Sequence, residues 1–395
     1  MNQRLLSRRD FLKVAGASVL AVAVGGGLWR AGDQGVFQVG QGPAYAPWDE
    51  WLAREQAEKD PLTLVRAAIL AANPDNSQPW LFRLRANEID VYADVRRNLP
   101  AVDPFQRNLM IGIGCALENM LLVGRALGYD PVVQYLPDAA DITHAARLTL
   151  PGGAAQVSDL CAAIPVRHMN RGAYDTNRLL TTETQQAMQA LGDDLADVRL
   201  VWISEPGPRA SLGEALVEAT RATINDAGQA ADIAAWTRSS WQEIEQHCDG
   251  ITLDAAGLSP ALLALAKMLP PMSAAQSNAS WVQVTENTHT KTAAAYGVLC
   301  VRERQDRRQQ MQCGQLLERV HLWATLHGLG LHVMHQLADR AGREESQGLE
   351  PVAGRVFAAL SPDASWRPLS MFRVGYPTAA ARRSPRRLLA AVILP

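Results

Sequence analysis

Beyond residue 60 the apolar positions follow two distinct periods. Asp60 stands before Pro61, and Leu64, Val65, Ala68, Ile69 and Ala72 follow at steps of one, three or four. This spacing predicts a helix with one buried face, capped by the Asp60 carboxylate and opened by a proline whose missing N–H costs nothing there. Asn73-Pro74 ends it. Two alternating runs, Leu81-Phe82-Arg83-Leu84-Arg85 and Ile89-Asp90-Val91-Tyr92, flank Ala86-Asn87-Glu88 and predict a hairpin. From about Arg107 to Leu127 apolar residues cover most of the helical circumference, among them Leu109, Met110, Ile113, Leu117, Met120 and Leu121. A helix of that kind is buried on all sides and central to its fold.

Part of this pattern returns two hundred residues later. Gly114, Leu117, Glu118, Leu122 and Gly128 recur as Gly314, Leu317, Glu318, Leu322 and Gly328. The repeat predicts a duplicated unit, with two halves facing each other as the subunits of a homodimer do. Pro151-Gly152-Gly153 marks the boundary near residue 155, dividing a first half, 60–155, from a second, 156–395. The second half carries an excess, 227–290, holding Trp236, Trp241, Trp281, Met268, Met272 and Pro270-Pro271. A segment of that size predicts a lid over a site. Residues 31–58 lack periodicity and read as a linker arm laid on the surface.

The first thirty residues read as an address. Ser7-Arg8-Arg9-Asp10-Phe11-Leu12-Lys13 precedes an uncharged run from Val14 to Trp29, the arrangement of a twin-arginine export signal. The run is shorter than the roughly 20 residues a spanning helix needs. Ala44-Tyr45-Ala46 has the small-x-small form of a cleavage site, but Pro47 follows it. Removal and retention of the leader therefore both stay open. The expected location is periplasmic, or exported by this pathway, and the expected partner is the twin-arginine machinery. Because that machinery carries proteins already folded, the address also points to a cofactor loaded before export.

Composition narrows the partners. With 395 residues, 48% hydrophobic and 20% charged, the chain is expected to fold as a soluble protein with a sizeable core. Its 38 basic and 40 acidic residues leave no basic excess for nucleic acid. Five cysteines without C-x-x-C spacing suggest neither a disulfide framework nor a zinc site.

Three segments concentrate polar chemistry. Asn73-Pro74-Asp75-Asn76-Ser77-Gln78-Pro79-Trp80 offers amide and hydroxyl groups on a proline-stiffened turn, a lining suited to a planar heteroaromatic ring. Arg167-His168-Met169-Asn170-Arg171 and Arg383-Ser384-Pro385-Arg386-Arg387 supply guanidinium groups of the kind that hold a phosphate monoester. Gly112-x-Gly114 lacks the third glycine of a dinucleotide fingerprint and lies inside a helix. His332 and His335 have a metal-compatible spacing but read better as scattered polar positions.

Taken together, Asn76-Ser77-Gln78-Pro79-Trp80 before a hairpin, the R-x-x-N-R segment at Arg167, the Gly-x-x-Leu-Glu central helix, Gly375-Tyr376-Pro377 and Ser384-Pro385-Arg386-Arg387 resemble the FMN-binding nitroreductase superfamily. Within it they look most like the exported, Acg-type branch, in which one chain fuses two nitroreductase halves. The resemblance covers roughly residues 60–395 and implies an α+β nitroreductase-like fold, an internally duplicated pseudo-dimer that is monomeric as a chain. It implies one FMN site between the halves. Asn76, Ser77 and Gln78 would line the ring and ribityl chain, and Arg167, His168, Asn170, Arg171, Ser384, Arg386 and Arg387 would hold the phosphate or the flavin edge. Met169 departs from the Ser or Thr usual there, and His168 is the candidate replacement. The implied activity is a flavin-dependent oxidoreductase passing hydride or electrons to a small nitroaromatic- or quinone-like acceptor, with no side-chain nucleophile. The alternative is a non-catalytic protein that sequesters FMN in an occluded site.

Overall fold

The computed structural model describes residues 30–53 and 59–395, so the export signal lies outside the described residues except for Arg30. The Asp60 carboxylate accepts the Leu62 N–H at 3.0 Å and starts the helix Pro61–Ala68. Strands β1 (Trp80–Arg85) and β2 (Glu88–Ala93) form the hairpin, paired from Trp80↔Ala93 to Arg85↔Glu88. The first central helix, Arg107–Ala126, is buried at every position from Asn108 to Gly124. Strands β3 (Val132–Tyr135) and β4 (His144–Thr149) complete an antiparallel sheet of order β1-β2-β4-β3.

The second half repeats this connectivity. Strands β5 (Val198–Ile203) and β6 (Ala295–Val301) are followed by the second central helix, Arg307–Leu326, then by β7 (Gly330–Val333) and β8 (Arg367–Gly375). The sheet order is β5-β6-β8-β7, again antiparallel throughout. Each central helix packs on its own sheet and on the other central helix. Helices and antiparallel sheets are thus combined in an α+β architecture.

Two connections bear on the site. Between β1 and β2 the chain needs only Ala86 and Asn87, whereas residues 204–294 lie between β5 and β6. The segment 227–290 is the distal part of that long connection. Its helices announce themselves locally: Ser240 with Glu243 and Ser273 with Gln276 form reciprocal capping boxes at Trp241–His247 and Ala274–Val284. The C-terminus, meanwhile, leaves its own half. The Phe82 N–H donates to the Val392 carbonyl at 2.8 Å and the Leu394 N–H donates to the Phe82 carbonyl at 2.7 Å, extending the first sheet at β1. This crossing carries Arg386 and Arg387 to the turn that precedes β1.

The arm is laid on the surface only in part. Residues Pro43–Tyr45 form a short 3-10 turn and Ala46–Leu52 a helix, and Ala44, Tyr45 and Trp48 have no exposed surface. Prolines and glycines had erased the local period, and burial here depends on contacts with residues far along the chain.

Candidate functional site

The turn before β1 is built under backbone constraint. Asp75, Asn76 and Gln78 all have positive φ, at 48°, 54° and 52°. None is glycine, so the loop holds a conformation that ordinary residues rarely adopt. The Asn73 carboxamide oxygen accepts the Gln78 N–H at 2.8 Å, and the Ser77 N–H reaches the Pro74 carbonyl at 2.7 Å. Asn76 Nδ2 donates to the carbonyls of Gly250 and Pro385, at 3.2 and 3.0 Å. Gln78 Nε2 donates to the Cys248 carbonyl at 2.8 Å, while its Oε1 accepts the Arg387 N–H at 2.8 Å. The amide row therefore joins the C-terminal segment to the long β5–β6 connection.

Arg167 and Arg386 converge on this turn from segments more than two hundred residues apart. Both are buried. Arg167 Nη2 donates to the Leu70 carbonyl at 2.6 Å, and Arg386 Nη2 donates to those of Leu70 and Ala71 at 3.4 and 3.2 Å. Arg386 Nη1 also donates to Asn76 Oδ1 at 2.5 Å. The carboxylate acting on both guanidinium groups is Glu318, fully buried on the second central helix. Arg167 Nε lies 3.0 Å from Glu318 Oε1 but out of line for a hydrogen bond. We therefore regard the contact as a charge pair only. Among the described residues, Arg167 Nε, Arg386 Nε and Ser77 Oγ stay buried without a hydrogen-bond partner. Burial, and Arg167 beside it, push the Arg386 guanidinium down to about 9. Two guanidinium groups facing one carboxylate leave a residual positive field and unfilled donors, the features of an anion site.

The remaining candidates divide between the two ends of this region. His168 packs edge-on against Trp48 at 4.8 Å, and the Trp48 ring lies 4.9 Å from the Arg386 guanidinium carbon. Burial, with Arg167, Arg386 and Arg383 nearby, lowers the His168 imidazole to about 3, so it is neutral. The Ser384 carbonyl accepts the Trp48 indole N–H at 2.9 Å. Arg387 donates to the carbonyls of Gln78, Trp80 and Ala391, which stitches the C-terminal crossing to β1. The Met169 thioether accepts the Val333 N–H at 3.3 Å.

Asn170 and Arg171 lie at the other end. Asn170 shapes its own turn, accepting the Gly172 N–H at 3.0 Å and donating to the Ala379 carbonyl at 3.0 Å. Among the described residues the Arg171 guanidinium makes one long bond, Nη1 to the Ala255 carbonyl at 3.4 Å. Asp75 faces it, and each is the leading opposite charge acting on the other. Among the described residues no hydrogen bond reaches the Asp75 carboxylate. Both residues are partly buried and keep some accessible surface.

Sequence reasoning missed Asp75, Trp48 and Glu318. Asp75 sits inside the quoted motif, where its place before Asn76 offered a signal. Glu318 was noticed only as a repeated residue, and its match Glu118 pairs instead with Arg319 at 2.8 Å. Trp48 gave none.

No family model matches the chain. Two Mycobacterium tuberculosis proteins, each named Putative NAD(P)H nitroreductase, are 30% identical to it over 114 residues, 28% of this chain. The chain spans about a third, 33%, of the length of these curated relatives. Among solved structures, an FMN and NADPH-dependent nitroreductase, NfnB from Sphigopyxis sp. strain HMH, is 18% identical with a TM-score of 0.38, over 60% of this chain and 98% of that one. A nitroreductase with bound FMN from Desulfitobacterium hafniense DCB-2 is 13% identical with a TM-score of 0.34, over 59% and 95%.

Proposed function

We propose that this chain is an FMN-binding oxidoreductase of the nitroreductase kind. One observation carries the reading: Arg167 and Arg386, from separate segments, meet beside Asn76 and Ser77 with buried donors unfilled and a single carboxylate between them. A phosphate monoester suits that donor set, because charge-assisted hydrogen bonds from converging guanidinium groups are the strongest available to it. Partial sequence identity to the two proteins named as nitroreductases supports the same reading. Arg167, Arg386 and Ser77 would hold the anionic end of the cofactor. Asn76, Gln78, Asn170 and Arg171 would face or shape its remaining length, and Arg387, His168 and Ser384 would fix the segments around it. Bound FMN supplies hydride or electron transfer to a small acceptor of nitroaromatic or quinone type. The protein's task is to orient the ring and keep water away.

The shared sheet order and the matched central helices favour two duplicated halves that complete one site per chain, a pseudo-dimer. The leader motif favours export in folded form to the periplasm. A second reading has its own observation. Cys248–Gly250 bond directly to the turn before β1, and Trp48 covers Arg386 and His168, so the site is closed from two sides. Such closure suits a protein that sequesters FMN.

Titration of apo-protein with FMN, followed by addition of NADPH or NADH and a nitroaromatic acceptor, tests both. Binding with turnover supports the oxidoreductase. Binding with reduction by dithionite alone supports sequestration, and failure to bind FMN rejects both.

A further inference from the structure

We propose that an uncharged face of the long β5–β6 connection, residues 257–276 with Phe37 beside them, rests on a lipid bilayer while the leader stays attached. The inference rests on the leader motif and not on the flavin reading.

The face begins as an anomaly of composition. The chain is 20% charged, yet across 255–285 the only charged side chain is Lys267. Lys267 is turned inward. Its Nζ lies 2.6 Å from Asp254 Oδ1, donates to the Gly35 carbonyl at 3.1 Å and stands 5.4 Å from the centre of the Trp241 ring. The helix Pro260–Met268, capped by the Ser259 hydroxyl, thus hides its one polar residue: Leu263 and Lys267, one turn apart, are its buried positions. Leu262 is 43% exposed, and Leu265 and Leu269 are half-buried. Pro270, Pro271 and Met272 follow in the open, Met272 at 55%. The next helix, Ala274–Val284, is uncharged and has no buried residue. The Gly35 contact brings in Phe37, two residues further on and 70% exposed. Single exposed apolar residues are ordinary, whereas an uncharged run of them indicates an interaction surface.

Three features select a bilayer as the occupant. First, the chain outside the described residues ends at this face. Arg30 Nε and Nη2 donate to the carbonyls of Met268 and Leu269 at 2.9 and 3.1 Å, so its guanidinium caps the C-terminal end of the helix. The uncharged run Val14–Trp29 stops one residue earlier, about 3.8 Å along the chain. Whatever receives that run is therefore held beside the face. Second, the Ala44-Tyr45-Ala46 site lies inside the fold. Ala44 and Tyr45 have no exposed surface, and the Ala44 carbonyl accepts the Arg386 N–H at 2.7 Å. A peptidase that meets the chain already folded does not reach this site, so the leader is not released there. Third, Val14–Trp29 is shorter than the roughly 20 residues of a spanning helix. Such an anchor is partial, and apolar area resting on the same membrane adds to it. Trp281, half-buried on the following helix, is of the residue type that settles at headgroup level.

The test uses the full chain bound to vesicles of phosphatidylethanolamine and phosphatidylglycerol that carry a photoactivatable diazirine lipid, with labelled peptides mapped by mass spectrometry. Peptides covering 257–276 and Phe37 should carry about tenfold more label than the peptide covering Val132, because an apolar face at a bilayer sinks into the headgroup boundary. Val132 is a fair comparison, being 56% exposed on the outer edge strand of the first sheet. Leu262→Asp combined with Met272→Asp should remove most of the label over 257–276 while residues 1–29 keep theirs. Label confined to residues 1–29, or equal over 257–276 and Val132, overturns the proposal. So does a concentration-dependent dimer, seen by ultracentrifugation without vesicles and abolished by the same double substitution, which would assign the face to a second copy of the chain. A chain that takes up no label anywhere overturns the leader anchor and the face together. The flavin reading is untouched by each of these outcomes, since FMN titration measures it separately.

Discussion

Gly114 and Gly314 interlock at the crossing of the two central helices. A Cβ added to Gly114 would stand 1.9 Å from the Met311 carbonyl oxygen, and one added to Gly314 would stand 2.0 Å from that of Ile111. The contacts are reciprocal and keep the two-hundred-residue offset. Backbone meets backbone here, so neither side chain nor rotamer can give way. Gly114→Ala should therefore separate the helices and lower stability by about 3 kcal/mol or more. Urea unfolding measures this, with Gly152→Ala as the control because nothing lies within 4 Å of its Cβ position.

Arg386 serves the fold and the proposed site at once. Arg386→Ala leaves Asn76 Oδ1 without its donor, while the Leu70 and Ala71 carbonyls keep Arg167 Nη2 and Asn73 Nδ2, so a loss of about 1–3 kcal/mol is expected. If its remaining donor serves a phosphate, FMN affinity should fall about tenfold or more. Riboflavin, which has no phosphate, should lose much less. Calorimetric titration with both ligands separates the effects, and equal losses would exclude the phosphate role.

His168 makes the protein sensitive to acid. Its folded value is near 3, below the unfolded value of about 6.5, so the unfolded chain takes up a proton that the folded chain refuses. The stability it contributes is present above about pH 6.5 and is lost as pH falls toward 3. The slope from one such group is at most about 1.4 kcal/mol per pH unit. His168→Gln should lose less stability between pH 7 and pH 4.5 than the wild-type chain. Equal losses in denaturation curves at the two pH values would show that His168 is not responsible.

Trp48 pins the arm. It is fully buried against His168 and Arg386, and the arm is tied at other points too: Arg386 N–H to the Ala44 carbonyl at 2.7 Å, and Lys267 Nζ to the Gly35 carbonyl at 3.1 Å. Trp48→Ala should cost about 3–5 kcal/mol. Limited proteolysis should then cleave within residues 30–52 faster than in the wild-type chain. An arm that stays equally resistant would show that its other bonds suffice.

Much of the architecture was readable along the chain. Asp60 and Pro61 start a helix where cap and ring geometry require one, and alternation at Leu81 to Tyr92 makes a hairpin. The apolar circumference of residues 107–126 demands a buried helix, and the repeat at Gly114 and Gly314 marked the surface where two such helices meet. These signals are local, or repeated, and so survive in one dimension. The motif residues Asn76, Ser77, Gln78, Arg167 and Arg386 were also legible, through a resemblance between segments.

Tertiary structure decided what those residues touch. Whether Arg386 faces solvent, a carbonyl or a ligand depends on the C-terminus crossing to β1, a pairing of Phe82 with Val392 that no local period encodes. The burial of Trp48 depends on His168 and Ser384, far along the chain. Asp75 reads as an ordinary turn residue until its positive φ and the opposing charge of Arg171 are seen. Periodicity reports which face of an element is apolar. The environment of a charged or strained residue is set by the elements that close around it, and so becomes definite only when the chain has folded.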